Sequence, residues 1–120
     1  MIYTSAEEEQ LFQVIIDAIQ DKKAENIISL DLRNVEEAVA SFFIICDVQS
    51  GVQMAAVAEH IEKEVRERLK EKPYQFELGP TWTLVDYINI VVHIFQKEDR
   101  KFYDLESLWM DADLQEHNGY

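Results

Sequence analysis

The sequence has few cysteines and glycines and no long apolar run, and each shortage excludes a class of protein. Cys46 is the only cysteine, so neither an intrachain disulfide nor a cysteine-based zinc site can form. Gly51, Gly79 and Gly119 are too scattered for a phosphate-binding loop. No run approaches the ~18 apolar residues of a membrane span, and Met1–Ser5 lacks the features of a secretory signal. We therefore expect a cytoplasmic protein that does not enter membranes.

Positive charge is also scarce. The chain of 120 residues has 11 Lys and Arg against 24 Asp and Glu, which gives a formal net charge of −13. Such a surface repels phosphate backbones, whereas nucleic-acid binding normally depends on Lys and Arg. Direct DNA binding is therefore not expected. The same field attracts a basic protein, which is the partner that the charge favours.

Apolar residues are plentiful, at 48% of the chain with 11% aromatic, so a substantial core can form. We predict a single α+β domain over residues 1–120, with a core at about 5–110 and an acidic tail at 111–120. Capping-box spacing at Ser5 and Ser50 predicts the starts of two helices. Five strands are predicted at Ile27–Leu32, Phe42–Cys46, Gln75–Leu78, Thr81–Val85 and Ile90–Gln96.

The predicted order of elements is α-β-β-α-β-β-β-α. The apolar run Phe42–Cys46 is typical of a strand covered on both faces. A turn at 87–89 joins the last two strands, and Asp99 is the predicted start of a last short helix. A crossover through the second helix would make the sheet mixed or partly parallel.

Few residues form a pattern with catalytic chemistry. His60, His93 and His117 fall in a helix, a strand and the tail, so no spacing joins them in a triad or a metal site. His93 alone in an apolar strand is typical of a hydrogen-bonded structural group. Asp31 and Asp47 each end a predicted strand, where they could hold magnesium for nucleotidyl transfer or simply cap turns. The turn-capping interpretation is favoured.

An aromatic and acidic segment is more informative. Trp82, Leu84 and Asp86 alternate along one strand, so their side chains share a face of the sheet. An aspartate on a core face is unusual, whereas aromatic anchors ringed by acids are typical of a binding surface. The alternative is that Trp82 and Trp109 fill the core and Asp86 caps a turn.

These residues resemble the signature of the Iojap-like ribosomal silencing factors. The signature is Trp82-x-Leu84-x-Asp86-Tyr87, then Val92-His93-x-Phe95, then Arg100-x-Phe102-Tyr103-x-Leu105-Glu106-x-Leu108-Trp109. The resemblance covers about residues 7–112. It implies a mixed five-stranded sheet packed with helices, related in fold to nucleotidyltransferases but without their activity or a cofactor. It also implies binding to the large ribosomal subunit through its L-fourteen protein, a block to subunit joining and lower translation when nutrients are scarce.

The resemblance further implies a homodimer when the protein is free. As a hypothesis, apolar anchors and acids of the signature segment bind the ribosomal protein, and the acids pair with its Lys or Arg. The expected apolar anchors are Trp82, Leu84, Tyr87, Tyr103 and Trp109. The expected acids are Asp86 and Glu106, and His93 completes the set of partner-binding residues. Two alternatives are a large-subunit assembly factor and a magnesium-dependent nucleotidyltransferase that uses Asp31 and Asp47.

The chain departs from the family pattern in two loops. Cys46-Asp47-Val48-Gln49-Ser50 replaces a stretch of small residues, of which Ser50 alone is kept. Ile88 stands where members tend to have glycine, and a branched residue resists positive φ. We therefore predict that this turn differs, or that Asn89 takes the left-handed conformation.

Overall fold

The computed structural model describes residues 5–100 and 112–117. Within these residues, the chain forms two helices and six strands. In order they are α1 (Ser5–Asp21), β1 (Glu25–Asp31), β2 (Phe42–Val48), α2 (Gly51–Leu69), β3 (Gln75–Glu77), β4 (Trp82–Asp86), β5 (Ile90–Gln96) and β6 (Asp113–Glu116). The α+β class and each predicted strand are confirmed.

The strands form one sheet in the order β3-β4-β5-β2-β1-β6. β2 and β5 run parallel to each other, whereas every other neighbouring pair is antiparallel. The predicted mixed sheet is therefore correct. The parallel pair arises because the chain crosses over through α2 before it returns as the β4–β5 hairpin.

The expected strand count was wrong by one. β6 lies in the segment predicted as an acidic tail, and it pairs with β1 from Asp31↔Asp113 to Ile28↔Glu116. All four side chains of β6 are exposed. A strand held by backbone hydrogen bonds alone has no apolar alternation, so the sequence pattern did not reveal it. The last predicted helix, which begins near Asp99, falls mostly on residues 101–111 and lies outside the described residues.

The start of α2 follows the predicted capping pattern with one change. Ser50 is the N-cap, and its hydroxyl accepts a hydrogen bond from the Gln53 amide at 3.1 Å. In a capping box, the third residue returns a bond to the N-cap amide. Here Gln53 Oε1 accepts instead from the amide of Gln49, at 2.8 Å. The cap therefore extends one residue further towards the end of β2.

Both helices pack on one face of the sheet. The main core joins their apolar sides to inward residues of β2, β4 and β5, among them Ile44, Val85 and Val92. A second cluster lies on the opposite face and consists of Ile28, Leu30, Leu32, Ile45 and Phe95, with Val35, Ala38, Phe43 and Ala112 packed against it. The central strands are therefore covered on both faces, as the apolar run at 42–46 predicted.

Cys46 belongs to the main core, as expected of a thiol at the end of an apolar strand. Burial in apolar surroundings raises the pKa of its thiol to about 12. The thiolate is the reactive form of cysteine, so this side chain is chemically inert at neutral pH.

The turn between β4 and β5 corrects one expectation. Ile88 itself takes the left-handed conformation, with φ 73°, so the prediction that Asn89 would do so was wrong. Three hydrogen bonds hold the turn: Ile88 N donates to Asp86 Oδ1 at 2.7 Å, Tyr87 N donates to the Ile90 carbonyl at 2.9 Å, and Asn89 N donates to the Tyr87 carbonyl at 2.9 Å. These contacts oppose the steric cost of a branched residue at positive φ.

The strain at Ile88 predicts an unusual order of stabilities. At an ordinary loop position, alanine is more stable than glycine by about 0.4–1 kcal/mol. At φ 73° the order should reverse, with Ile88→Gly more stable than Ile88→Ala by about 1 kcal/mol, because glycine has no Cβ to clash. Urea unfolding of the two variants measures this difference. Both remove the same exposed side chain, so equal stabilities, or a more stable alanine variant, would contradict strain at this residue.

Candidate functional site

β4 divides its side chains between two environments. Thr83 and Val85 are fully buried under the helices, whereas Trp82, Leu84 and Asp86 lie on the other face and remain partly accessible. Trp82 is 37% exposed, which is high for a tryptophan. The prediction of one shared, partly exposed face is confirmed. Glu77 and Leu78 lie beside these residues on the β3 side. We call the five residues together the Trp82 surface: Glu77, Leu78, Trp82, Leu84 and Asp86.

The indole of Trp82 is held in place by β5. Its Nε1 donates a hydrogen bond to Nδ1 of His93 at 3.2 Å. The indole also stacks on the rings of His93 and Phe95, with centroid distances of 5.6 Å in both cases. A side chain fixed in this way loses little conformational entropy when a partner covers it. The partly exposed indole of Trp82 therefore has a fixed orientation.

A small cavity of about 170 Å³ lies beside the indole, lined by Glu77, Leu78, Gly79, Trp82 and Leu84. Gly79 permits the tight turn that forms it, because a Cβ on Gly79 would lie 2.2 Å from the Trp82 carbonyl oxygen. Leu78 is 51% exposed at the rim. The cavity can take one apolar side chain of a partner.

Two carboxylates flank these apolar residues. Glu77 lies directly opposite Leu84 in the β3–β4 pair, and Asp86 lies opposite Gln75. Of the expected acids, Asp86 lies beside Trp82 and Leu84, and Glu77, which the sequence pattern did not indicate, lies there as well. Leu78 was missed as well. Its position just before the Gly79-Pro80 turn was the available signal, because a leucine at a turn has little room in a core.

Asp86 has two roles. It is partly accessible on the Trp82 surface, and it also caps the turn through the bond from Ile88 N. Both alternatives raised by the sequence therefore apply to this residue. A substitution that tests its charge must keep an oxygen acceptor for Ile88, which asparagine does and lysine does not.

Tyr87 is the main correction to the predicted site. Its side chain is only 1% exposed and belongs to the core beneath the helices, so it cannot act as a surface anchor. The residue follows the end of β4, where strict alternation no longer fixes which face a side chain occupies. Three further predicted contacts, Tyr103, Glu106 and Trp109, lie outside the described residues.

His93 is also buried, at 6% exposure, and it lies below Trp82 with an edge-to-face contact to Phe43 at 4.7 Å. Burial lowers the pKa of its imidazole to about 4, so the ring is neutral at physiological pH. A neutral ring can accept the Trp82 hydrogen bond at Nδ1, whereas a protonated ring cannot. His93 therefore positions Trp82 and does not itself present a surface to a partner.

The two strand-ending aspartates are not neighbours. Asp31 lies opposite Phe42 at one end of the β1–β2 pair, whereas Asp47 lies opposite Glu25 at the other end. The Arg33 guanidinium donates to the Asp31 carboxylate at 2.6 Å and lowers the pKa of that carboxyl.

Asp47 is buried and is held by a different set of partners. It accepts hydrogen bonds from Asn26 at 3.0 Å and from Arg100 at 3.1 Å. Asp31 and Asp47 therefore cannot share a magnesium ion. Within residues 5–100 and 112–117, no group of three or more His, Cys, Asp or Glu side chains is arranged to hold a metal.

The buried His93 predicts a specific pH dependence of stability. Its folded pKa is depressed below 6.5, so the unfolded chain gains a proton first as the pH falls. The contribution of His93 to the free energy of unfolding is therefore fully present above about pH 6.5. As the pH falls from there towards 4, the free energy of unfolding decreases by up to about 3 kcal/mol because of this residue. His93→Gln keeps an acceptor for Trp82 but does not titrate in this range. Urea unfolding at pH 7.5 and 4.5 should show a smaller loss for this variant, and parallel losses would contradict the assignment.

Comparison with known proteins gives a consistent result. A family model described as "Ribosomal silencing factor during starvation" matches residues 5–119. The chain is 35% identical over 112 residues to the ribosomal silencing factor RsfS of Halalkalibacterium halodurans, and the match spans 92% of this chain and 95% of that protein. It is also 35% identical over 108 residues to the RsfS of Bacillus subtilis, across 89% of this chain and 91% of that protein.

Solved structures agree with this fold. A crystal structure from Chromobacterium violaceum superposes with a TM-score of 0.78 at 27% identity, covering 85% of each chain. One from Bacillus halodurans gives 0.73 at 34% identity, over 84% of this chain and 94% of that one. Among the described residues, neither helix has the length and apolar character needed to cross a membrane.

Proposed function

The chain belongs to the ribosomal silencing factor family, and we propose that it binds the large ribosomal subunit through its L-fourteen protein and sterically blocks joining of the small subunit. The consequence would be lower translation when nutrients are scarce. In this proposal the protein acts by occupying a surface and catalyses no reaction.

The Trp82 surface is the observation that carries the proposal. Binding energy at protein interfaces is concentrated in a few aromatic and apolar anchors that lie beside pockets and are ringed by polar residues. Trp82 and Leu84 provide such anchors beside a cavity of about 170 Å³, and Glu77 and Asp86 flank them. This arrangement fits a partner that inserts one apolar side chain and places Lys or Arg near the two carboxylates.

Overall charge supports the same kind of partner. The formal charge of −13 steers a basic protein towards this chain, even where ribosomal RNA surrounds that protein. The RNA itself is repelled. Specificity would then come from the anchors, because long-range attraction raises the association rate more than it selects one partner.

The nucleotidyltransferase alternative loses its support in the structure. The two aspartates on which it depended lie at opposite ends of β1 and β2, and each is paired with an arginine. As further parts of the proposal, we expect a homodimer when the protein is free and a cytoplasmic location.

Binding to purified L-fourteen protein tests the proposed surface directly. Trp82→Ala should weaken binding by about tenfold or more, because it removes the central anchor. Asp86→Asn should weaken binding by about threefold to tenfold at low salt, and by less at high salt, because it removes a charge at the rim and keeps the acceptor for Ile88. Isothermal titration calorimetry at two salt concentrations measures both effects.

Matched controls separate the surface from general effects. Val52→Ala removes exposed apolar area from α2, and Glu67→Gln removes one exposed charge from the same helix. Both controls should bind as the unchanged protein does. Leu78→Lys provides a second test of the surface, because Leu78 is half exposed and its replacement should leave folding intact. Full affinity in folded Trp82→Ala and Leu78→Lys variants would show that the partner binds elsewhere.

A further inference from the structure

A larger groove lies at the other edge of the sheet. It has a volume of about 900 Å³ and runs between α1 and the strands β1 and β6, with Glu9, Phe12, Ser29, Asp31, Phe42 and Asp113 among its lining residues. β6 and β3 are the two opposite edges of the sheet. The groove is therefore separate from the Trp82 surface, and the proposed binding of the L-fourteen protein does not use it.

Within the described residues, two helices pack on one face of the six-stranded sheet and leave part of that face uncovered. A helix with its side chains is about 10–12 Å wide, and strands are spaced about 4.8 Å apart, so one helix covers roughly two to three strands. α1 and α2 pack against each other, and α2 covers β2, β4 and β5. The sheet therefore extends past α1, and the open side of β1 and β6 forms the floor of the groove.

The apolar part of the groove is aromatic. Phe12 of α1 and Phe42 of β2 are each partly buried, and their rings meet edge to face at a centroid distance of 5.0 Å. The Arg33 guanidinium lies 4.9 Å from the centre of the Phe42 ring. Arg33 therefore already makes a favourable cation–π contact with this ring, so a partner would contact the remaining surface of the Phe12–Phe42 pair.

The polar part of the groove is acidic. Glu8, Glu9, Asp31 and Asp113 line it, against the single basic residue Arg33. Arg33 is already paired with Asp31 at 2.6 Å. Its pKa is raised mainly by Asp31, but Glu8 and Glu9 contribute as well, so all three carboxylates act on the same space. Glu8 also accepts a hydrogen bond from the neutral Asn89 side chain at 3.2 Å, so the negative charges of Glu8, Glu9 and Asp113 are not balanced by a second basic residue of the groove lining.

The edge strand adds a third element. Among residues 5–100 and 112–117, β6 is the outermost strand on this side of the sheet, so the backbone groups on its outer side face away from β1. An extended segment of another protein can add to such an edge through main-chain hydrogen bonds. The acids repel a nucleic acid, whereas they complement Lys and Arg.

From these features we propose that the groove between α1 and β6 binds an extended, Lys- and Arg-rich segment of a partner protein. Its cationic side chains would pair with Glu8, Glu9 and Asp113, and one apolar side chain would contact the Phe12–Phe42 pair. The protein would then have two binding edges, one at β3–β4 and one at β6.

Fluorescence anisotropy with the full chain tests this proposal. The probe is a labelled peptide of about ten residues that alternates Lys or Arg with Leu or Thr. Glu9→Lys combined with Asp113→Lys should weaken its binding by about tenfold or more, because it reverses charge inside the groove. Glu59→Lys combined with Glu67→Lys makes the same change in net charge on exposed positions of α2, and it should weaken binding by less than about threefold.

Three results would overturn the proposal. Equal losses in the two double variants would show attraction by net charge alone. Equal binding of a peptide with Glu in place of Lys and Arg would show that the acids play no part. Binding of a labelled oligouridine that the groove variant abolishes would assign the groove to RNA. The groove variant should retain full affinity for the L-fourteen protein, so this test and the test of the Trp82 surface can fail independently.

Discussion

The parallel pairing of β2 with β5 is the interaction on which the rest of the structure depends. The register runs without a break from Phe42↔Ile90 to Val48↔Gln96, and apolar clusters cover the pair on both faces. β5 then holds β4, and with it the Trp82 surface, whereas β2 holds β1 and the acidic groove. A shift of one residue in this register would turn every side chain to the opposite face. Both candidate binding edges would then be lost together.

The surface that we propose for the ribosomal protein depends on buried groups as much as on exposed ones. Trp82 keeps its orientation because His93 is neutral and accepts its indole hydrogen bond. Asp86 presents a charge while it holds the Ile88 turn, and Gly79 allows the chain to pass close to Trp82. The proposed binding and the local stability therefore depend on the same residues. Variants must be chosen to change one of them at a time.

Periodic features could be predicted from the sequence, because burial follows directly from them. The shared face of Trp82, Leu84 and Asp86, the helix that begins after Ser50 and the mixed sheet were all predicted correctly. β6 could not be predicted, because its pairing depends on backbone groups. Tyr87 and Ile88 were misjudged, since their burial and φ depend on tertiary contacts of the turn and not on any local period.

Sedimentation with ribosomal particles tests the central claim most directly. The purified protein is mixed with large subunits, small subunits and joined ribosomes at near-physiological magnesium and salt, and the mixtures are separated on sucrose gradients. The protein should travel with large subunits and reduce the fraction that joins with small subunits. A protein that stays at the top of every gradient, or that travels with large subunits while joining proceeds unchanged, would contradict it.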